Sequence, residues 1–373
     1  MKVVEYYHLE CEGKSLDFSS LEAAHEYLAE RRPDEVPALE WLEKAVPNGP
    51  VSWSGITLAK RELRFADATA VAVQEHAEVT ARELFASPAW THAEQRLPLM
   101  LGKNLDGEEV VIDLARAPHL LMAGETGSSK SVAMGMMLQS LLLRFTPEQL
   151  RLILVDPRYL ELSCYQTVPH LLAPILHEPE QVVAMLRWTV DEMNRRYRVI
   201  AAAECKSFWG FNRRAVSGQE CHAALDEPIP QTLPNIVIVI NELADLMAEV
   251  PKEAERALEL LAGKALSAGI HLIVATVRPD AKVITGVVKA NFPARIALKV
   301  LDASCSRLVL DEPGAELLRG RGDMLLKGWR VPPERIQGGM VSTAEVEELV
   351  RKCSSQAPQV FDAGLMAALG GQQ

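Results

Sequence analysis

The segment Gly124–Ser131, GETGSSKS, has residue types and a spacing that indicate phosphate chemistry. It follows the pattern G-x-x-x-x-G-K-[ST], except that Ser129 stands where the pattern has its second glycine. In such loops backbone N–H groups hold phosphates, the lysine reaches the terminal phosphates, and the hydroxyl after it binds Mg²⁺. We therefore predict a nucleotide and Mg²⁺ site with Lys130 as a catalytic residue and Ser131 as a metal ligand. Its nucleotide-binding residues would be Gly124, Glu125, Thr126, Gly127, Ser128, Ser129, Lys130 and Ser131.

A second candidate is the run NIVIVINEL, residues 235–243, in which an apolar strand pattern ends in Asn241 and Glu242. In P-loop proteins two acids at this point orient Mg²⁺ and polarise the attacking water. Glu242 is thus predicted to be catalytic. Asn241 occupies the metal-orienting position with an amide, which keeps an acceptor oxygen but lacks the negative charge. The alternative for the loop at 124–131 is a glycine-rich turn of a Rossmann-like fold. The alternative for the run at 235–243 is a buried strand that ends in Asn-Glu by chance.

The elements that would position these residues follow an alternating pattern. Apolar, strand-like runs (HLLMAG, LRLILVD, NIVIVIN and IHLIVATV) are separated by helical patterns at 130–144, 179–203 and 252–268. Nearly continuous apolar strands joined by crossover helices are typical of a parallel sheet covered on both faces. Further strands at 295–300 and 322–327 would extend that sheet. The pattern predicts an α/β fold.

The N-terminal region differs in charge from the rest of the chain. Residues 1–94 contain 9 Lys and Arg against 17 Asp and Glu, so most of the net charge of −11 lies there. Residues 1–80 are predicted to form a small acidic α/β domain, with a hairpin across Glu12–Gly13 and a helix at 20–32, and a further helix is predicted over 68–86. Acidity suits a protein-contacting module better than a DNA-binding one, so we expect an unknown protein partner here, against the default of a solvated surface.

Composition excludes several other classes of protein. Apolar runs are far shorter than the roughly 20 residues that a membrane span needs, and charges interrupt the N-terminus where a signal peptide is apolar. The six cysteines form no C-x-x-C pair, which favours reduced thiols over a zinc site. We therefore expect a cytoplasmic protein with no membrane span. His119 and His271 flank strand-like runs and are interpreted as structural.

Several segments outside the loop resemble the FtsK/SpoIIIE family of double-stranded DNA translocases. They occur in the family's order over residues 82–345 and include LVDPRYLELSCYQTVPHLL, AMLRWTVDEMNRRY, NELADLM, KALSAGIHLIVATVRPDAKVITGVVKANFPARIAL and GAELLRGRGDMLL. The resemblance implies a RecA-like P-loop NTPase core with a mainly parallel sheet. It also implies a hexameric ring around double-stranded DNA, with ATP bound between subunits. Matching motifs place Arg278, Lys289 and Arg307 near DNA or at the subunit interface.

Four positions depart from the family pattern. Ser129 replaces a glycine, Asn241 an aspartate and Val277 a glutamine, and Leu266 stands where the family has an arginine that would serve the neighbouring subunit's ATP. All four changes remove features needed for hydrolysis, so two interpretations remain open. One is an ATP-dependent DNA translocase with weakened hydrolysis, and the other is a degenerate ATPase acting as a structural or regulatory subunit, alone or in a mixed ring. A conjugative DNA pump is a third and weaker interpretation.

The resemblance also sets the predicted domain boundaries. Residues 1–80 form the acidic domain of unknown role, residues 81–345 the motor domain and residues 346–373 a C-terminal tail. The tail is shorter than the winged-helix module that the family uses to read the orientation of DNA.

Overall fold

A computed structural model of the chain describes residues 2–11, 14–18, 51–53, 56–65, 79–117, 119–216, 222, 225, 228–328 and 333–370. The chain divides into two compact units. One comprises Met1–His76 with Lys327–Glu334, and the other comprises Ala77–Leu326 with Arg335–Gln373. Among the described helices, none is long and apolar enough to cross a membrane.

The first unit contains a four-stranded antiparallel sheet. Its strands are β1 (Lys2–Cys11), β2 (Lys14–Phe18), β3 (Val51–Trp53) and β4 (Ile56–Phe65), in the order β2-β1-β4-β3. Cys11 pairs with Lys14, which confirms the predicted hairpin. The pairing of β1 with β4 along their whole length was not predicted. The helix expected at 20–32 lies outside the described residues.

The second unit begins with a short helix, α1 (Ala81–Ala86), which corrects the prediction of one helix over 68–86. Thr80 is extended and caps α1, because its side chain accepts from the N–H of Glu83. The extended stretch pairs with a distant strand-like residue: Ala81 N donates to Met340 O at 2.9 Å, and Met340 N donates to Val79 O at 2.7 Å. Long-range backbone pairing therefore overrides the helical pattern, and residues 66–78 lie outside the described part.

The remaining described strands and α-helices of this unit number nineteen, of which the alternating pattern predicts nine, with boundaries within four residues, and leaves ten unpredicted. They are α2 (Pro88–Thr91), β5 (Pro98–Asn104), β6 (Glu109–Asp113), β7 (His119–Ala123), α3 (Lys130–Arg144), β8 (Leu150–Val155), α4 (Pro179–Ala202), α5 (Phe208–Arg213), β9 (Asn235–Ile240), α6 (Leu243–Glu249), α7 (Pro251–Lys264), β10 (Ile270–Thr276), α8 (Gly286–Asn291), β11 (Ala294–Leu298), α9 (Ala303–Leu310), β12 (Asp323–Lys327), β13 (Glu334–Gly338), α10 (Thr343–Ser354) and α11 (Ala363–Ala368).

These described strands form a nine-stranded mixed sheet in the order β6-β5-β13-β12-β11-β7-β10-β9-β8. The five strands from β11 to β8 are parallel, as predicted, whereas β5 is antiparallel to both β6 and β13. Strands β7, β9 and β10 are buried along their whole length, which explains their continuous apolar sequences. The carboxyl ends of the parallel strands therefore meet at one edge of the sheet.

Two histidines lie on neighbouring strands inside this core. His119 Nδ1 accepts the N–H of Leu272 at 3.1 Å. Burial, with a smaller contribution from the charge of His271, lowers the pKa of His119 to about 3. A ring that is neutral, buried and hydrogen-bonded to backbone agrees with the structural role expected of it.

The last strand of the sheet, β8, has its outer side covered by its own chain. Leu152 N donates to His170 O and Leu172 N donates to Leu152 O, and the Arg151 side chain donates to Val360 O at 2.6 Å. Helix α10 packs on α3 and α11 packs on α4, with Leu365 fully buried. The segment predicted as a tail thus contains helices that pack on this unit.

Candidate nucleotide-binding site

The loop Gly124–Ser129 joins β7 to α3 and is tied to the two strands that flank β7. Gly124 N donates to Thr276 O at 3.2 Å, at the end of β10, and Glu125 N donates to Lys299 O at 2.8 Å, beyond β11. A Cβ at Gly124 would lie 2.6 Å from Ser128 Oγ and 2.8 Å from the Leu298 Cβ. Only glycine fits this first position of the motif without displacing its neighbours.

Ser129 adopts left-handed backbone geometry, with φ 72° and ψ 31°, immediately before α3. The pattern has glycine at this position, and glycine reaches positive φ without the steric cost that a Cβ imposes. For other residues that cost is roughly 1–2 kcal/mol. The penalty of a serine at position 129 therefore lies in the backbone itself.

Ser128 provides a test of whether the loop fits a polar ligand. Its Oγ is buried and has no hydrogen-bond partner, and the residue is 1% exposed. Buried hydroxyls are nearly always hydrogen-bonded, so such an atom within a phosphate-loop motif indicates a site for a polar group. Thr126, Gly127 and Ser131 are exposed around it, which leaves the loop's outer face accessible. The residues present therefore fit a nucleotide phosphate.

Lys130 connects this loop to the end of β9. The residue is 5% exposed, and its Nζ donates to Asn241 O at 3.3 Å and to Asn241 Oδ1 at 3.1 Å. A carboxylate oxygen of Glu161 lies 3.8 Å away. The two predicted motifs thus meet, with the lysine charge facing a neutral amide and one more distant carboxylate.

Asn241 is 2% exposed, and both ends of its amide are engaged. While Oδ1 accepts from Lys130, Nδ2 donates to Asp156 Oδ1 at 3.3 Å. Asp156, at the end of β8, is fully buried and also accepts the backbone N–H groups of Glu161 and Leu162. Sequence reasoning missed Asp156. Its position after a buried strand was visible, but the adjacency of β8 to β9 was not.

The prediction that Asn241 and Ser131 bind a metal stays untested. The described residues contain no group of three or more His, Cys, Asp or Glu side chains that could hold a metal ion. A P-loop Mg²⁺ needs no such cluster, because one or two protein oxygens and the substrate's phosphates hold it.

Glu242 is 1% exposed and accepts hydrogen bonds from several groups. The Thr276 hydroxyl donates to it at 2.7 Å, and the N–H groups of Ala244 and Val277 donate at 3.2–3.3 Å. Its carboxylate caps α6 and joins β9 to β10. At position 277 the backbone N–H supplies this contact, so it is independent of the change from glutamine to valine.

Arg158 was not predicted as a site residue. Its guanidinium lies 3.4 Å from Glu242 Oε2 and 3.2 Å from Asp245 Oδ2. The hydrogen bond to Asp245 raises the pKa of Arg158 above its ordinary value. Its position three residues beyond a buried strand was a signal, because the carboxyl ends of neighbouring parallel strands lie together.

Among the other predicted residues, Arg278 touches this cluster through its backbone, because its N–H donates to the Thr276 hydroxyl oxygen at 3.1 Å. Arg278 is exposed just beyond β10, and Arg307 is exposed on α9. Lys289 forms an ion pair with Asp311, which also binds Arg295 at 2.6 Å. Leu266, half-buried in a 3₁₀ turn after α7, accepts the N–H of Gly269 through its carbonyl oxygen.

A buried strand, this loop and a helix that starts at the lysine, in a sheet with five parallel strands, define a P-loop NTPase core of the RecA-like class. The family model for FtsK/SpoIIIE matches residues 81–281. The chain is 44% identical over 281 residues to "DNA translocase FtsK" of Pseudomonas aeruginosa, covering 72% of this chain and 35% of that protein. It is 42% identical over 300 residues to "DNA translocase FtsK 1" of Neisseria meningitidis serogroup B, covering 78% and 37%.

The chain therefore belongs to the FtsK/SpoIIIE family, and it spans little more than a third of the length of these curated relatives. Among solved structures, the conjugation coupling protein TcpA of pCW3, determined with ATPγS, has a TM-score of 0.60 at 22% identity. That match covers 85% of this chain and 88% of the other. The cytoplasmic domain of the type VII secretion ATPase EccC from Thermomonospora curvata has a TM-score of 0.62 at 21% identity, covering 77% and 36%. At these identities the two structures show the fold alone.

Proposed function

We propose that this chain is an ATP-binding, double-stranded DNA-binding motor of the FtsK type that works as a ring. The observation that carries the proposal is the contact between Lys130 and Asn241, which joins the phosphate loop to the strand that ends in Glu242. The chain's relatives are named DNA translocases, which supports the choice of DNA as the polymer handled.

When bound, ATP with Mg²⁺ would supply the free energy of phosphoryl transfer. The residues of this chain would do the rest. The loop N–H groups and Ser128 Oγ would bind phosphate oxygens, and Lys130 would neutralise their charge. Ser131 would hold the metal, and Glu242 would orient water. Exposed Arg278 and Arg307 would contact DNA phosphates or the neighbouring subunit, repeated in every copy of a hexameric or mixed ring.

A second candidate function, nucleotide binding with little or no hydrolysis, is supported by the geometry at Asn241. A neutral amide bonded to Lys130 replaces the carboxylate that would balance the metal's charge. Val277 and Leu266 also offer no polar side-chain group for catalysis. Under this proposal the chain is a nucleotide-dependent clamp or a passive subunit in a ring with an active motor.

DNA-stimulated ATP turnover of the purified protein tests the two candidates. Turnover above that of Glu242→Gln supports the motor. Binding of ATPγS that depends on Lys130, with turnover no higher than in the Glu242 variant, supports the clamp. If no nucleotide binds, both candidates are wrong.

DNA contact is tested separately by affinity for a duplex of arbitrary sequence at several salt concentrations. Replacing Arg278 or Arg307 with Gln should weaken binding and lower the slope of log affinity against log salt by about one for each phosphate that is no longer neutralised. Arg187→Gln, an exposed change on α4, is the matched control. Unchanged slopes in both variants would remove these residues from the DNA surface.

Two further parts of the proposal concern the rest of the chain and its surroundings. We propose that the acidic residues 1–80 contact another protein, which co-purification with and without these residues would test.

The described cysteines Cys164, Cys205, Cys305 and Cys353 are free thiols, which supports a reducing, cytoplasmic setting.

A further inference from the structure

Both oxygens of the Glu242 carboxylate are occupied by donors of its own chain. Oε1 accepts from Ala244 N at 3.2 Å, from the Thr276 hydroxyl at 2.7 Å and from Val277 N at 3.3 Å. Oε2 accepts from Val277 N at 3.2 Å and faces Arg158 at 3.4 Å. A carboxylate has about four lone-pair positions, so this shell leaves little room for a water molecule. In this conformation Glu242 is held by the protein rather than available to a nucleophile.

Arg158 differs from the other donors in its freedom to move. Thr276, Val277 and Ala244 belong to β10, its end and α6, and they stay in place as long as those elements do. The Arg158 side chain is 41% exposed and lies in the connection that follows β8. A partly exposed ion pair contributes little to stability, so it can open at small cost.

The connection that carries Arg158 is itself anchored on its far side. Tyr159 has φ 61°, stacks on His177 with ring centroids 3.6 Å apart, and donates its hydroxyl to Glu178 at 2.8 Å. Asp245 holds the Arg158 guanidinium from the α6 side. The guanidinium is therefore placed beside Glu242 by two independent contacts, while one face of it stays open to solvent.

We propose that Arg158 is a positioning residue that restrains Glu242 and keeps ATP turnover low until it is drawn away. The inference rests on the proposed function, because it assigns a restraint to the residue that would orient water. Drawing Arg158 away opens one position on Oε2 to water, while the carboxylate keeps its hydrogen bonds from β10, Val277 and α6. An anion that competes for the guanidinium, such as a phosphate group, has the chemistry to do this.

The test measures ATP turnover by the full chain without DNA. Arg158→Gln should raise kcat by about two- to fivefold, the range that a partly exposed ion pair accounts for, and should leave KM for ATP unchanged. Arg158→Lys, which keeps the charge, should return kcat toward the wild-type value. Arg187→Gln is the control for loss of an arginine charge. In the double variant Arg158→Gln/Glu242→Gln the gain should disappear, because it acts through Glu242.

A kcat for Arg158→Gln equal to or below that of the wild type overturns the inference, including the case in which both are zero. If Arg158→Gln melts at a lower temperature than the wild type, the kcat of Arg158→Met, which keeps the aliphatic stem, is compared with that of the wild type instead. The proposed function is tested by a different measurement, because it is wrong if ATPγS binding does not depend on Lys130. The two failures are therefore separable in one set of proteins.

Discussion

The phosphate loop and the end of β9 face each other across one lysine, yet they depart from the P-loop pattern in different ways. The loop keeps Gly124, its orphaned Ser128 hydroxyl and Lys130, and its one change imposes a backbone cost at Ser129. The end of β9 presents a neutral amide at Asn241 and holds Glu242 in a shell of donors. The comparison therefore supports the proposal of nucleotide binding more strongly than the proposal of hydrolysis.

The largest expected effect would break the loop side of this comparison. Lys130→Ala should weaken ATPγS binding by about 10- to 100-fold, because a charged donor contributes about 1.5–3 kcal/mol. Titration with a fluorescent ATP analogue measures this. Lys252→Ala, an exposed lysine on α7, is the matched control. Equal affinities for the Lys130 variant and the wild type would show that the loop no longer binds phosphate.

On the β9 side, Glu242→Ala should lower the free energy of unfolding by about 2 kcal/mol, since α6 loses its cap and the buried Thr276 hydroxyl keeps only its longer contact with Arg278 O. Glu242→Gln keeps an acceptor oxygen and should cost less. Urea denaturation of the two variants gives the difference. A loss below about 0.5 kcal/mol in the alanine variant would contradict the donor shell described for this carboxylate.

A change of pH tests the strand that supports the loop. His119 has a pKa of about 3 in the fold, below its ordinary 6.5, so the unfolded chain takes up a proton that the folded chain cannot. Stability should therefore fall as pH decreases from about 6.5 towards 3, by up to about 2 kcal/mol at pH 5. His119→Asn, which keeps an acceptor for Leu272, should flatten this dependence.

The control for that measurement is His92→Asn, at an exposed position. Denaturation midpoints at pH 7 and pH 5 are compared for the three proteins. An unaltered pH dependence in the His119 variant would show that other titrating groups cause the acid sensitivity.

The smallest effect concerns the one change within the loop. Ser129→Gly should stabilise the protein by up to about 1 kcal/mol, because glycine removes the left-handed strain but gives back some chain entropy. Ser129→Ala keeps the strain and removes only the hydroxyl, so it should be close to neutral. Thermal denaturation distinguishes the two. Stabilisation by alanine and not by glycine would mean that the hydroxyl, rather than the backbone, is the source of the cost.

The sequence predicted the elements better than the contacts between them. Apolar periodicity and the P-loop pattern located β7, α3 and β9 to within a residue, and Lys130 and Glu242 came directly from their motifs. Asp156 and Arg158 were missed because their importance depends on which strands are neighbours, and strand order cannot be deduced from local sequence. The prediction of one helix over 68–86 was wrong at Thr80 for a similar reason, since Thr80 pairs with Met340, which is far along the chain. The engagement of Lys289 by Asp311 likewise depends on tertiary placement.

The covering of β8 has a consequence for how copies of this chain can associate. An uncovered strand at the end of a sheet offers its backbone groups to any other extended chain. Here residues 170–176 already form hydrogen bonds with the outer backbone groups of β8, and the Arg151 side chain donates to Val360 O beside them. A second copy cannot continue the sheet at this edge. Subunits that meet on this side must recognise each other through side chains, which makes the contact specific in sequence.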